Sequence, residues 1–329
     1  MPIKILVVGC GAIGKWHAVN AAAMSETAVV DANPFLSEEV SQTTGSIDFG
    51  NDLISALKWG CDGVVVAVPN SSHITIAKQA IESGADVLIE KPLSHDLSAA
   101  EEFMSYADSL KKQVFVVCNM RFHVAVQELK NHLPKVGRPL FARAHFGNYL
   151  PDMRPGADYR KLYVANREEG GVTLDGIHEI DYLSWLLGPV ESIVADTGKI
   201  SRLEINAEDY ASLQMRHVGG IRTELHLDYV RKAKRRGCEI VGEDGILDWV
   251  SEGKTPEVCR VRLYLTKHGW QDLKYAEIND KRETLRVMMN AFVEELNGRK
   301  TQLHTGHEAI RTLKVAYVSR KGERIVHPI

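Results

Sequence analysis

Three glycines in the pattern Gly9-x-Gly11-x-x-Gly14 follow the aliphatic run Ile3 to Val8 and open a helical stretch from Lys15 to Ala23. Strand, glycine turn and helix in that order let a backbone approach a diphosphate. The first glycine permits the tight turn, the second the close approach and the third the packing of helix on strand. The phosphates then rest on backbone N–H groups at the helix start, so Gly9, Gly11, Ala12, Ile13 and Gly14 are the expected contacts. Asp31 ends a second apolar run, Ala28-Val29-Val30, roughly 20 residues on, where its carboxylate can accept hydrogen bonds from an adenosine ribose diol. The same charge repels a 2′-phosphate, and Ala32-Asn33-Pro34 offers no arginine to attract one, so NAD is expected in preference to NADP. A strand-end aspartate also serves simply as a turn cap, and both readings stand at this level.

Two further places carry groups able to move a proton or steady a charge. Lys91 ends the strand-like run Val87 to Glu90 and precedes Pro92, which restricts its backbone to an extended form. The carboxyl end of a parallel strand is where open α/β sheets bind ligands. An ammonium there could hydrogen-bond a reacting hydroxyl and stabilise the oxyanion that develops as hydride leaves carbon. Asp175 and His178 are three residues apart, on one face of an expected helix from about Thr173 to Leu187. His178 suits general acid or base work because an unperturbed imidazole titrates near ~6.5. Taken alone, each has a plainer reading: Lys91 as a solvated charge, His178 as a packed helix histidine.

The elements that must hold these groups alternate. After the glycine turn, short apolar runs (Ser46 to Phe49, Gly63 to Val68, Val87 to Glu90, Val114 to Cys118) are interleaved with helical stretches (Leu53 to Trp59, His73 to Ser83, Leu97 to Lys111). Such alternation predicts a doubly wound parallel sheet with helices on both faces, a Rossmann domain over residues 1–121. Beyond Arg121 a helix near Val124 to Leu133 gives way to longer runs with period-2 alternation, among them Phe141 to Tyr149, Ala211 to His217 and Arg222 to Tyr229. These predict an α+β domain over residues 122–329 with a mostly antiparallel open sheet, and two closing helices near Arg282 to Asn297 and Gly306 to Arg320.

Composition narrows the field. A chain of 329 residues fits two domains, and its 44% hydrophobic and 25% charged content is ordinary for a globular protein. A formal charge of -3 gives no field to hold nucleic acid or an anionic membrane. The basic cluster Arg231, Lys232, Lys234, Arg235 and Arg236 reads as a solvated strand end or the rim of a substrate site. Cys10, Cys61, Cys118, Cys238 and Cys259 lie far apart without a CxxC pair, so neither a disulfide framework nor a metal site is expected. No signal-peptide pattern or membrane-length apolar run is visible, and a cytoplasmic location is expected.

Three segments together resemble one family, the glucose-fructose oxidoreductase and inositol dehydrogenase (Gfo/Idh/MocA) family. They are Val68-Pro69-Asn70-Ser71-Ser72-His73, the triplet Glu90-Lys91-Pro92, and Gly170-Gly171-Val172-Thr173-Leu174-Asp175-Gly176-Ile177-His178-Glu179-Ile180-Asp181. The resemblance covers essentially the whole chain and implies a nicotinamide-dependent oxidoreductase acting on the secondary alcohol of a sugar, cyclitol or derivative. It implies catalytic roles for Lys91 and His178, cofactor contacts at Pro69, Asn70, His73, Glu90 and Lys91, and association into a homodimer or homotetramer through the open sheet. Many members place the aspartate four residues before the histidine, whereas here position 174 is Leu and Asp175 stands three before, so Asp175 either orients His178 or holds a substrate hydroxyl. Glu179 and Asp181 are expected at the helix surface or an interface. Asn119, Arg121 and His123 follow the last Rossmann strand, where the family places substrate. Tyr149, Arg154, Tyr159, Arg160 and Tyr163 gather in the loop before the Gly-Gly helix, a set suited to a hydroxylated ligand bearing carboxylate or phosphate, or to a packing arm. Other relatives are dinucleotide-binding sensors without turnover, or glycosidases that use NAD transiently. Retention of both Lys91 and His178 argues against the sensor.

Overall fold

The computed structural model of the chain describes residues 2–253, 257–321 and 325–328. The outer ends of the two expected domains, Met1 and Ile329, lie outside the described residues. In chain order the first elements are β1 (Lys4–Val8), α1 (Ala12–Ala22), β2 (Glu26–Val30), α2 (Pro34–Thr44), β3 (Ile47–Asp48), α3 (Leu53–Lys58), β4 (Gly63–Val66), α4 (His73–Glu82), β5 (Asp86–Ile89), α5 (Leu97–Ser109) and β6 (Val114–Val116). There follow α6 (Val124–His132), β7 (Pro139–Tyr149), α7 (Val172–Asp175), α8 (Ile177–Leu187), β8 (Val190–Gly198), β9 (Tyr210–His217), β10 (Arg222–Asp228), β11 (Val230–Gly242), β12 (Gly245–Glu252), β13 (Glu257–Leu265) and β14 (Gly269–Asn279). The chain closes with α9 (Lys281–Leu296), β15 (His304–Thr305), α10 (Gly306–Ser319) and β16 (Ile325–Pro328).

One unit comprises Met1–Asn119 with Arg282–Ile310. Its sheet has the order β15-β6-β5-β4-β1-β2-β3, parallel except for β15. Strands sandwiched between helices bury both faces, which is why Ile5-Leu6-Val7 and Val64-Val65-Val66 are unbroken apolar runs with no exposed surface. Side chains start the helices: the Asn33 carboxamide accepts the Phe35 N–H, and Asp96 accepts those of Ser98 and Ala99.

The expected domain boundary needs correction, because α9 and β15 pack with the Rossmann sheet rather than with the second domain. Phe292 of α9 meets Phe115 of β6 edge-on at 6.1 Å, and its ring occupies the space beside Gly63 that any Cβ there would claim. β15 pairs antiparallel to β6, His304 opposite Val116 and Thr305 opposite Phe115.

The other unit, Met120–Lys281 with Arg311–Ile329, holds a nine-stranded sheet of order β14-β13-β12-β11-β7-β10-β9-β8-β16. Among the described residues, only the β7–β10 pair of this sheet is parallel. Alternation along the strands fixes one buried face: Ala211, Leu213 and Met215 are inside while Gln214 and Arg216 face out. The basic cluster does not trail a strand but forms part of β11, which starts at Val230 and pairs with both β7 and β12. Among the described residues, no helix is long and apolar enough to cross a membrane.

Candidate functional site

In the first unit the glycine turn joins β1 to α1. Gly9 is left-handed (φ 97°), and a Cβ on it would lie 2.5 Å from the Ala67 carbonyl oxygen. A Cβ on Gly14 would lie 1.8 Å from the Gly9 oxygen, so helix and strand could not close on each other. Gly11 differs, since no atom lies within 4 Å of where its Cβ would be. It is also the N-cap of α1, and no side chain caps that helix. Helix-start N–H groups facing open space beside an unsubstituted α-carbon form a cradle for an anion, and this observation fits a dinucleotide diphosphate.

Asp31 closes the turn from the far side. Its carboxylate accepts the Cys10 N–H at 2.6 Å and the Asn33 N–H at 2.7 Å. Turn cap and ribose acceptor are therefore compatible roles, because each carboxylate oxygen retains capacity for a second donor. The Cys10 thiol is pushed up to about 12, first by burial and then by the charges of Asp31 and Asp48. Two carboxylates thus stand near this end of the cradle.

Lys91 leaves the same edge of the sheet. β1 pairs with β4 and β4 with β5, all parallel, so the glycine turn and the Lys91 loop both follow carboxyl strand ends, two strands apart. Glu90 is tied down by both carboxylate oxygens: Oε1 lies 2.8 Å from His17 Nε2, and Oε2 accepts the Lys91 N–H. His17, fully buried on α1, was not singled out in the sequence, where a histidine inside a helical run carries no signal of its own. The peptide bond between Lys91 and Pro92 is cis.

His73 takes a different part from the one expected. Its buried ring sets Nδ1 2.9 Å from the Pro92 carbonyl and Nε2 3.0 Å from that of Val68, so both nitrogens serve the backbone. Burial lowers its pKa. The side chain braces the loop after β4 against the loop after β5. Pro69 and Asn70 lie in that first loop, Asn70 almost buried.

In the second unit the expected single helix is broken. α7 ends at Asp175, Gly176 intervenes, and α8 begins at Ile177, so the shared-face argument for Asp175 and His178 does not carry over to one continuous helix. The position admits no side chain, since Leu227 lies 2.8 Å from where a Cβ on Gly176 would sit, and glycine is itself a weak helix former. Gly171 starts α7 in a left-handed conformation (φ 93°), and the Glu208 carboxylate fills the space a side chain would need. Glu208 in turn accepts the Thr173 N–H and pairs with Arg320 at 3.2 Å. Asp175 is nearly buried and accepts a hydrogen bond from the Tyr163 hydroxyl at 3.4 Å. Burial first, and then the Asp175 charge, push the phenol of the enclosed Tyr229 well upward. His178 is half-buried in the first turn of α8.

Two expected substrate residues belong instead to the interior. Arg121, 3% exposed, forms a bidentate pair with Asp181, 1% exposed, at 2.7 to 3.1 Å. His123 is buried, caps α6 by accepting the Ala125 N–H on Nδ1, and lies 3.1 Å from Glu257 on Nε2. An isolated buried charge is costly, so groups of this kind are paired inside the fold. Glu179 and Asp181, expected at the helix surface or an interface, are likewise buried, Glu179 2.7 Å from Arg236. Asn119 is almost buried in the turn after β6. Among the loop residues, Tyr163 reaches Asp175, Tyr159 accepts the Glu204 N–H, Arg154 is exposed, and Tyr149 lies under the Lys232 ammonium.

Comparison with known proteins agrees with this arrangement. Residues 3–118 match the oxidoreductase family with an NAD-binding Rossmann fold, and residues 132–248 match the GFO/IDH/MocA C-terminal domain. The chain is 31% identical to the UDP-N-acetylglucosamine 3-dehydrogenase of Acidithiobacillus ferrooxidans, over 89% of its own length and 92% of that protein. It is 27% identical to the myo-inositol dehydrogenase Hyg17 of Streptomyces leeuwenhoekii, a match that spans 62% of either chain. An oxidoreductase from Agrobacterium radiobacter, solved with NAD+, L-tartaric acid and magnesium, shares the fold with a TM-score of 0.84 at 20% identity, over 100% of this chain and 98% of that one. The class is a Rossmann-fold oxidoreductase. Within it, the chain belongs to the Gfo/Idh/MocA family.

Proposed function

We propose that the protein is an NAD-dependent dehydrogenase acting on a secondary alcohol of a sugar, cyclitol or sugar derivative. The observation that carries this reading is the placement of Lys91 and the glycine cradle at the carboxyl edge of one parallel sheet. When bound, the nicotinamide supplies hydride transfer. Gly9, Gly11, Ala12, Ile13 and Gly14 would hold the diphosphate, and Asp31 the adenosine ribose. The charges of Asp31 and Asp48 near the turn support NAD over NADP, because a 2′-phosphate there would meet like charge. Lys91 would donate a hydrogen bond to the reacting oxygen and steady its developing charge. His178 would take the alcohol proton, a step that typically contributes ~10²–10⁴ in rate, with Asp175 and Tyr163 shaping its surroundings.

The relatives named above act on a cyclitol and on a nucleotide-linked aminosugar, which supports a polyhydroxylated substrate. The reading includes association of identical copies through the open face of the nine-stranded sheet, where Trp270, Tyr275 and Ile278 are exposed. Its test is NADH formation, followed by absorbance, when purified protein is mixed with NAD and a panel of sugars, cyclitols, sugar acids and nucleotide sugars. A substrate whose turnover vanishes in Lys91→Ala supports it. Tight NAD binding with no turnover across the panel favours the sensor or the transient-redox glycosidase instead.

A further inference from the structure

The second unit has an open surface cavity of about 670 Å³, lined by exposed polar side chains, between the loop at 159–166 and the loop that follows β8. That volume lies within the usual range of ligand sites, roughly 300–1,000 Å³. Its polar lining is Arg160, Asn166, Lys199, Arg202, Glu204 and Asn206. Arg160 ties the two loops together, holding Asp158 at 2.8 Å and Glu204 at 3.1 Å, so one guanidinium is shared by two carboxylates. Lys199 and Arg202 have no carboxylate within ion-pair distance among the described residues, and the Lys199 ammonium donates only to the Ser201 carbonyl. The two carboxamides are oriented as well. Asn166 Oδ1 accepts the Glu168 N–H at 2.9 Å and Asn206 Oδ1 the Arg167 N–H at 2.8 Å. With each oxygen committed to backbone, each NH2 is left to donate elsewhere.

Two unpaired cations and two amide donors outweigh the single negative charge left where Arg160 is shared by Asp158 and Glu204, and make a site that selects an anion. We propose that this cavity binds a phosphate or diphosphate group carried by the substrate. The loop that supplies Arg160 and Asn166 also supplies Tyr163, whose hydroxyl donates to Asp175, so one segment serves both the cavity and the end of α7. This assignment rests on the dehydrogenase reading for its link to turnover. Its anion chemistry stands apart from that reading.

Two measurements separate the two claims. Calorimetry with inorganic pyrophosphate and with UDP is made on protein saturated with NAD, which occupies the glycine cradle. It should show binding that weakens by about ten-fold or more in the Lys199→Ala/Arg202→Ala variant, as expected for lost charge-assisted bonds. Equal binding by a variant whose thermal transition and NAD affinity match the parent, or no binding by either, overturns the site. This arm needs no turnover, so it decides even if no sugar is oxidised. Where a substrate is found, the same variant should raise KM more for its phosphate-bearing form than for the neutral sugar, and pyrophosphate should inhibit competitively. Binding of pyrophosphate without competition would mean a free anion acting as effector and would overturn the substrate assignment.

Discussion

His17 Nε2 lies 2.8 Å from Glu90 Oε1, and the other oxygen of that carboxylate accepts the Lys91 N–H at 3.2 Å. One buried contact therefore joins α1, the helix that opens at the glycine cradle, to the strand end that presents Lys91. Substituting Glu90→Gln preserves shape but weakens both contacts. A misplacement on the order of 1 Å near reacting atoms can cost up to about 10²-fold. The expected result is a kcat lowered by about ten-fold or more. Unchanged kcat in the folded variant would show that Lys91 needs no such anchor.

Asp31 accepts two backbone N–H groups, from Cys10 and Asn33, so Asp31→Ala should do more than release the ribose. Hydrogen bonds to a charged acceptor contribute about 1.5–3 kcal/mol each, and loss of two loosens the turn itself. NAD affinity should fall, the preference over NADP should narrow, and the thermal transition should drop. Fluorescence titration with both dinucleotides checks this. An unaltered NAD to NADP ratio would remove Asp31 from the ribose.

Lys91→Ala and His178→Ala should each abolish most turnover, the histidine change by about 10²–10⁴ if it removes only a positioned proton acceptor. NAD binding should survive His178→Ala, because His178 belongs to the second unit and the cradle to the first. Near-normal turnover in both variants would refute the proposed chemistry.

The glycine cradle was legible because only glycine fits positions where a Cβ would strike a carbonyl, and that constraint is written locally in the chain. The interior partners of Arg121 and His123 were not legible, for the opposite reason. A polar residue after a strand looks the same whether it faces a ligand or an interior partner. Their partners, Asp181 and Glu257, are distant in sequence and gave no local sign. The close approach of Leu227 on β10 to Gly176 was also hidden, because the two are distant in sequence, although the glycine itself weakens a helix at that point. The packing of α9 on the Rossmann sheet depends in the same way on Phe292 meeting Phe115 and Gly63.

The exposed Trp270, Tyr275 and Ile278 lie on β14, the edge strand of the nine-stranded sheet. Apolar side chains gathered at one place on a surface mark an association site. Light scattering should return a multiple of the chain mass, and Tyr275→Glu with Ile278→Glu should shift it toward the single chain. A single-chain mass for the unaltered protein at working concentration would refute association.

Acid stability should report on the interior pair that replaced a supposed substrate residue. Burial opposes ionisation of Glu257, but its hydrogen bond with His123 and the charges of Arg236 and Lys234 outweigh that effect and hold its carboxyl at about 2. The acceptance of the Ala125 N–H by His123 Nδ1 places the imidazole proton on Nε2, facing Glu257. Burial also lowers the His123 pKa, which favours this neutral donor form. A carboxyl held below its unfolded value of about 4.3 contributes stability that is present above that pH and lost as pH falls from there toward about 2. Thermal unfolding of the parent should therefore fall steeply across this interval. Glu257→Gln should be less stable at neutral pH and show a shallower acid slope. Parallel acid profiles for the two proteins would mean that the carboxylate of Glu257 is not what holds this part of the core at neutral pH.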